Sequence, residues 1–313
     1  MKNLVSVVIP AYNAAGTLPK AMESVLDQTH EDLELIVVDD ASEDETGKIV
    51  KKYEKQDPRV KYIRHKKNRE RSATRNTGIK NATGSFIAFL DSDDKWLPEK
   101  LEKQLSYLRR KGDDWKGVYC RTIKIEDRSD NPISEFWDKI GENLPREGGR
   151  NLIKSVLLDR VTNCGSTFLG KKKTIQRIGG FDTSLDMHED WEFLIRFLKV
   201  GKIGYLDEAL AVIERRGGSS FSSDIRVRNK KKYIKKVSNH INNFEKKGYP
   251  ILSFQYLHLA KFYHESNDSR KAFRYILNSL KSLRNCKKEY VHIPLKLLTN
   301  LILAMTRDLL AKR

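Results

Sequence analysis

The sequence predicts an α/β protein: an open, mostly parallel sheet with helices on both faces, followed by a small basic α-helical C-terminal region. Three observations carry this. Over the first 120 residues, short β-branched runs alternate with amphipathic helical stretches, the pattern of a parallel sheet covered by helices. Polar and acidic residues cluster directly after the predicted strands, where open α/β sheets bind their ligands. From about Ile225 the strand-like runs stop and lysine takes over, with 21 Lys+Arg against 5 Asp+Glu in residues 225–313, while residues 1–224 are almost balanced at 39 against 37.

Strands are expected at Leu4–Ile9, Leu33–Val38, Val60–Arg64, Ser85–Leu90 and Gly117–Cys120. Helices are expected between them, around Thr17–Gln28, Asp44–Lys55, Ser72–Asn81 and Pro98–Arg110, the last opening on a proline that a first turn tolerates. Beyond them come a helix near Leu152–Leu158, a strand near Ser166–Leu169, a helix near Glu189–Lys199 and a strand near Leu210–Glu214. The stretch Glu126–Arg150, rich in Asp, Asn, Pro and Gly, reads as a loop or flap. In the basic region His258–His264, a polar turn at Glu265–Ser269 and Arg270–Leu277 read as one helical hairpin of tetratricopeptide type, too few copies to stand as an array. The expected domains are therefore 1–224, with halves meeting near 120, and 225–313.

Composition narrows the class. Charged residues make up 33% and hydrophobic residues 39%, and no apolar run approaches the ~18–20 residues of a membrane span. Met1-Lys2-Asn3 leads straight into Leu4–Pro10, too short for a signal h-region, so secretion is not expected. Cys120, Cys164 and Cys286 are widely spaced and odd in number, which suggests neither a disulfide framework nor a zinc site and fits the cytoplasm. The net charge of +18, concentrated in the tail, implies an anionic partner such as lipid headgroups or nucleic acid.

Three strand ends carry chemistry: Pro10-Ala-Tyr12-Asn13, Asp39-Asp40-Ala-Ser42 and Asp91-Ser-Asp93-Asp94. Carboxylates packed as closely as Asp91, Asp93 and Asp94 repel unless a cation neutralises them, and hard oxygen ligands suit Mg²⁺ or Mn²⁺ bridging to phosphates. One of Asp39, Asp40 and Ser42 is expected to cap the next helix, leaving a carboxylate to accept from a base or ribose. Tyr12 can stack on a base, and Arg75 can bring a forked, permanently charged donor to the same nucleotide. Asp190 opens an amphipathic helix, whose N-terminus favours the ionised carboxylate a general base requires, with Glu189 as the neighbouring competitor.

The chain resembles family 2 glycosyltransferases of the GT-A fold. The resemblance lies in Val5–Asn13, Val37–Ser42, Ala73–Asn76, Phe89–Trp96, Gly179–Asp182 and Glu189–Glu192, and covers about residues 4–222. It implies nucleotide-sugar binding by Pro10, Tyr12, Asp40, Arg75, Asp91 and Asp93, a Mn²⁺ or Mg²⁺ ion on Asp93 and Asp94, a catalytic base at Asp190, and Glu189 and Trp191 on the acceptor side. The family often continues with Tyr-Arg-x-His-Gly-Gly-Ser, where this chain reads Ile213-Glu-Arg-Arg-Gly-Gly-Ser219. Arg216 replaces the histidine; it cannot ligate a cation but can pair with phosphate oxygens of the donor.

The expected reaction is inverting transfer from a nucleoside diphosphate sugar, UDP-linked by resemblance, to the hydroxyl of a glycan or lipid-linked acceptor. A catalytically inactive nucleotide-sugar binder and a nucleic-acid binder acting through the tail are the alternatives, though the tail shows no recognition-helix, RNP or zinc pattern. Gly165–Lys171 nearly forms a P-loop, but Lys172 stands where Ser or Thr must hold Mg²⁺. After Pro294, a helix with Leu298, Leu301, Ile302, Met305 and Leu309 on one face either meets an anionic membrane peripherally, at its cytoplasmic face, or packs on the hairpin or a second subunit.

Overall fold

The computed structural model describes residues 3–126, 145–158, 161, 164–215, 221–288, 291, 294, 295, 298, 299, 302, 303 and 306. Arg216, most of the expected flap and most of the helix expected after Pro294 lie outside the described residues. The chain folds as two compact units, one of Met1–Asp127, Arg146–Leu152 and Thr162–Gly217, the other of Arg128–Pro145, Ile153–Val161 and Gly218–Arg313.

The first unit is built on β1 (Val5–Ala11), β2 (Leu33–Asp39), β3 (Val60–Arg64), β4 (Phe86–Phe89), β5 (Lys95–Trp96), β6 (Trp115–Glu126), β7 (Leu169–Lys171) and β8 (Lys202–Arg215). They form one sheet in the order β3-β2-β1-β4-β7-β6-β8-β5. The four strands from β3 to β4 run parallel, β7 runs antiparallel to β4 and β6, β8 is parallel to β6, and β5 is antiparallel to β8. Every residue of β2 is buried, as a strand covered on both faces requires. Helices α1 (Leu18–Leu26), α2 (Thr46–Gln56), α3 (Glu70–Asn81) and α4 (Lys100–Lys111) alternate with the strands as the periodicity predicts. The register sets Ala11 beside Asp39 and Val8 beside Phe89, so the three functional strand ends emerge at neighbouring positions along one edge.

Three of the expected strands differ from expectation. The strand expected near Ser166–Leu169 begins only at Leu169 and is preceded by the short helix α6 (Cys164–Thr167). Tertiary bonds decide this: the Ser166 carbonyl accepts from Trp96 Nε1 at 2.6 Å, and the Ser166 hydroxyl serves the Asp91–Asp94 turn. The strands expected at Gly117–Cys120 and Leu210–Glu214 are parts of the long pair β6 and β8, matched from Trp115↔Lys202 to Glu126↔Arg215 across irregular register. The added residues, Arg121–Glu126 of β6 and Lys202–Ala209 of β8, mix charged and apolar side chains and show no continuous apolar run. Helices α7 (Lys172–Arg177) and α8 (Glu189–Val200) complete the unit.

The second unit contains α5 (Ile153–Leu157), α9 (Ser223–Lys236), α10 (Ser238–Glu245), α11 (Ile251–Glu265) and α12 (Ser269–Ser282). α11 and α12 form the expected hairpin, closed by the Asp268 carboxylate, which caps α12 by accepting from the Lys271 amide at 2.9 Å. Val227 of α9 joins Leu259, Phe262, Tyr263 and Ala272 in its core. α5 belongs here because Gln255 Nε2 donates to the Leu157 carbonyl at 2.6 Å. Among the described residues no helix is long and apolar enough to cross a membrane.

Candidate active site

The loops after β1 and β2 are knitted to each other. The amides of Asn13 and Ala14 donate to the hydroxyls of Ser42 and Thr46 at 3.0 and 2.8 Å, and the Glu43 amide donates to Asn13 Oδ1 at 2.9 Å. This holds Tyr12 at the apex with 51% of its surface exposed, a ring presented rather than packed. Pro10, at the end of β1, sets the strand from which that loop departs. Asn13, Ala41, Glu70 and His188 all adopt positive φ, between 47° and 68°. They sit after β1, after β2 and at the starts of α3 and α8, and strained backbone of this kind collects at functional sites.

None of Asp39, Asp40 and Ser42 caps α2, which starts later, at Thr46; Asp44 accepts from the Thr46 amide instead, at 3.0 Å. Asp39 closes its own turn on the Ser42 amide at 2.8 Å and takes the Tyr62 hydroxyl at 2.6 Å. Asp40 is buried and accepts from His65 Nδ1 at 2.6 Å and from the Arg69 amide at 2.9 and 3.0 Å. Asp40 thus anchors the segment that leads into α3 in addition to lying in the expected loop. His65, directly after β3, escaped the sequence reading because the strand-end rule was applied to β1, β2 and β4 only.

Arg75 is the centre of the site. Fully buried on α3, it donates to Glu189 Oε1 at 2.8 Å and to Asp91 Oδ1 at 2.7 Å, and its guanidinium lies 5.1 Å from the centre of the Phe181 ring. Burial opposes its charge, yet Asp91 and Glu189 more than restore it. Asp91 in turn is held below the usual carboxylate range: burial acts against ionisation, but Arg75 and then Arg71 outweigh it. Gly165 faces this pair, and a Cβ there would lie 3.4 Å from Arg75 Nη2 and 3.5 Å from Asp91 Oδ2.

Beneath these groups lies an aromatic floor. Phe89, one residue before Leu90-Asp91, meets Phe181 edge-on at 5.1 Å, and Phe181 stacks on Phe193 at 4.4 Å. Phe168 packs edge-on against Phe193 and Phe197 at 5.7 and 5.3 Å. β4, the α6–β7 segment and α8 are thereby locked together, and they carry Asp91, Ser166 and Asp190.

Asp190 lies in the first turn of α8, where one carboxylate oxygen accepts from the Trp191 amide at 2.9 Å. Its side chain is partly exposed. Burial first, and then the charge of Glu189, push the carboxyl up to about 7, against the pull of Arg75. A carboxyl near neutrality is suited to take a proton at physiological pH. Trp191 packs against His188 with ring centres 4.5 Å apart and the planes tilted by 35°.

In the acidic turn, Asp93 is exposed and Asp94 buried. Asp94 accepts from the Ser166 hydroxyl, and that hydroxyl accepts from the Asp91 amide at 3.1 Å. Burial and then the charges of Asp91 and Asp93 push Asp94 up to about 8. Three carboxylates thus crowd one short turn, an arrangement that fits a divalent cation. Among the described residues no ready-made cluster of three His, Cys, Asp or Glu ligands is present. An ion here would share its coordination with a ligand's oxygens, as Mg²⁺ does at phosphate sites.

The profile of the glycosyl transferase family 2 matches residues 6–179. The chain belongs to that family. This family 2 chain is 46% identical over 107 residues, 34% of its length, to the putative teichuronic acid biosynthesis glycosyltransferase TuaG of Bacillus subtilis. It is 45% identical over 105 residues to the UDP-Glc:alpha-D-GlcNAc-diphosphoundecaprenol beta-1,3-glucosyltransferase WfgD of Escherichia coli. It spans only 42% and 41% of the length of those two relatives. Its fold is that of the GT-A glycosyltransferases. S. aureus TarS 1-349 in complex with UDP-GlcNAc superposes with a TM-score of 0.58 at 18% identity over 90% of this chain and 91% of that one. The mannosyltransferase PcManGT of Pyrobaculum calidifontis, in complex with GDP-Man and Mn²⁺, does so with 0.59 at 17% identity over 99% and 88%. The family match ends before Glu189 and Asp190, so the fold of this family 2 chain, rather than the profile, brings them to Arg75.

Proposed function

We propose that this chain is an inverting, metal-dependent glycosyltransferase that moves a sugar from a nucleoside diphosphate donor to an acceptor hydroxyl. The observation that carries the reading is the Glu189–Arg75–Asp91 network, which ties the start of α8, and with it Asp190, to the acidic turn after β4. Asp190 takes the proton of the acceptor hydroxyl, whose oxygen attacks the anomeric carbon while the nucleoside diphosphate leaves from the opposite face. Tyr12 supplies a ring face for the base, and the Asp40 loop lies against ribose and base. Arg75 orients Glu189 and Asp91, and Arg216 pairs with the diphosphate. Asp93 and Asp94 would hold Mn²⁺ or Mg²⁺, which when bound supplies positive charge to the leaving diphosphate.

UDP is the favoured carrier, supported by the UDP-GlcNAc complex of TarS. A lipid-linked or glycan acceptor in polysaccharide or lipid-linked oligosaccharide synthesis is supported by the diphosphoundecaprenol acceptor in the name of WfgD, and the basic C-terminal region suits contact with the cytoplasmic face of an anionic membrane. The test is transfer from a panel of UDP-, GDP- and dTDP-sugars with Mn²⁺, the product's anomeric configuration being read by NMR. Inversion is expected with a UDP-sugar. Retention, or tight UDP binding without turnover on any acceptor, would overturn the reading.

A further inference from the structure

Among the described residues, α12 presents an apolar stripe that no hydrophobic core takes up. Its inner side is already satisfied: Ala272 is fully buried, Ile276 nearly so, and the Ser279 hydroxyl meets that of Ser253 on α11 at 2.7 Å. On the outer side Phe273 is 59% exposed, Leu277 41% and Leu280 38%. Their spacing of four and three places them on one helical face. Repeated large apolar side chains on one face of an exposed helix mark an interaction surface.

The charges around the stripe name the partner. Arg270, Arg274 and Lys281 are exposed beside it, and Ser269–Ser282 contains no acidic residue. α9 adds exposed Arg228, Lys231, Lys232 and Lys235, which with Val227 and a single carboxylate, Asp224, line an open hollow of about 470 Å³. Lys231 of α9 donates to the Tyr263 hydroxyl of α11 at 2.8 Å and stands 5.7 Å from the Tyr275 ring centre on α12. We propose that α12 and the adjoining face of α9 form an interfacial docking surface for an anionic lipid bilayer. Phe273, Leu277 and Leu280 enter the boundary between headgroups and acyl chains, and the flanking guanidinium and ammonium groups meet lipid phosphates. A nucleic acid would match the charge but has no use for a three-residue apolar stripe, and a second copy of so basic a face would be repelled. The surface deepens the transfer reading by giving a lipid-linked acceptor a place to be met, and it rests on that reading only for its purpose.

Attachment is measured without catalysis, so the two readings can fail separately. The full chain is co-sedimented with vesicles of phosphatidylcholine alone and of phosphatidylcholine with phosphatidylglycerol, at low and high salt. Pelleting is expected only with the anionic vesicles and is expected to weaken with salt. The double variant Phe273→Ser/Leu277→Ser and the double variant Arg228→Glu/Lys232→Glu should each lower it by about tenfold, with unchanged circular dichroism and unchanged UDP binding. Wild-type pelleting of both variants would overturn the surface. So would the absence of pelleting by the wild type, or a dimer in sedimentation velocity that the Phe273→Ser/Leu277→Ser variant converts to monomer.

Discussion

Asp190→Asn exchanges a carboxylate for an amide of nearly the same shape that cannot accept the acceptor's proton. Turnover should fall by about 10²–10⁴, the usual share of general-base catalysis, while calorimetric affinity for UDP stays unchanged. The base works ionised, so wild-type kcat/KM should rise with pH through about 7, the value to which burial and Glu189 push Asp190, and this limb should vanish in Asp190→Asn. Full turnover in Asp190→Asn with loss in Glu189→Gln would transfer the role to Glu189. Tyr12→Ala and Asp40→Ala should both weaken UDP binding but differ in stability. Tyr12 is half-exposed, so its loss should leave the melting temperature in place. Asp40 accepts from His65 and the Arg69 amide, and leaving the buried His65 without this partner should cost about 1–3 kcal/mol in thermal unfolding. Unchanged UDP affinity in both variants would remove them from the site. The residue types were legible because carboxylates at strand ends need a reason to be there. Their partners were not: nothing local to Asp40 points to His65, 25 positions away, or to the backbone of Arg69.

α3 shows how closely an element must approach the sheet to place one side chain. A Cβ added to Gly78 would lie 2.2 Å from Val8 Cγ1, and Val8 is fully buried in β1 with no room to yield. Alanine would gain about 1 kcal/mol in helix propensity, but overpacking of a closed core costs about 1–3 kcal/mol. Gly78→Ala should therefore destabilise the protein in urea unfolding, and the loss should shrink in a Val8→Ala background; equal losses in the two backgrounds would remove the contact as the cause. Transfer should fall as well, since a shifted α3 carries Arg75 away from Glu189 and Asp91. The parallel strands were readable because a strand covered on both faces has to be apolar along its length. α6 was not readable, because Gly165-Ser166-Thr167 is held helical by Trp96 and by the Asp91–Asp94 turn, which lie about 70 positions earlier.

At the scale of the molecule, the acidic turn depends on segments far apart in the chain, and metal removal tests whether they act together. Excess EDTA should abolish transfer without unfolding the first unit, and Mn²⁺ or Mg²⁺ should restore it; Asp93→Ala should be inactive with or without the ion. Full activity in EDTA would discard the metal. Asp94→Ala should be inactive too, and should in addition release Ser166, lowering thermal stability in a way Asp93→Ala does not. By itself the sequence determined the α/β class, the alternation of strands and helices, Tyr12 and Asn13 after β1 and the carboxylates after β2 and β4, and the separation of a nearly neutral first part from a basic helical tail. Those features follow from local periodicity and composition, which neighbouring residues encode. Only the tertiary structure decided that Arg75 is a buried clamp between Asp91 and Glu189, that Asp94 leans on Ser166, that burial and the charge of Glu189 raise the Asp190 carboxyl, and that, among the described residues, the apolar stripe of α12 stands exposed. Each of these depends on burial and on partners up to 114 positions away, and a carboxylate's charge is set by what the fold packs around it rather than by its neighbours in the chain.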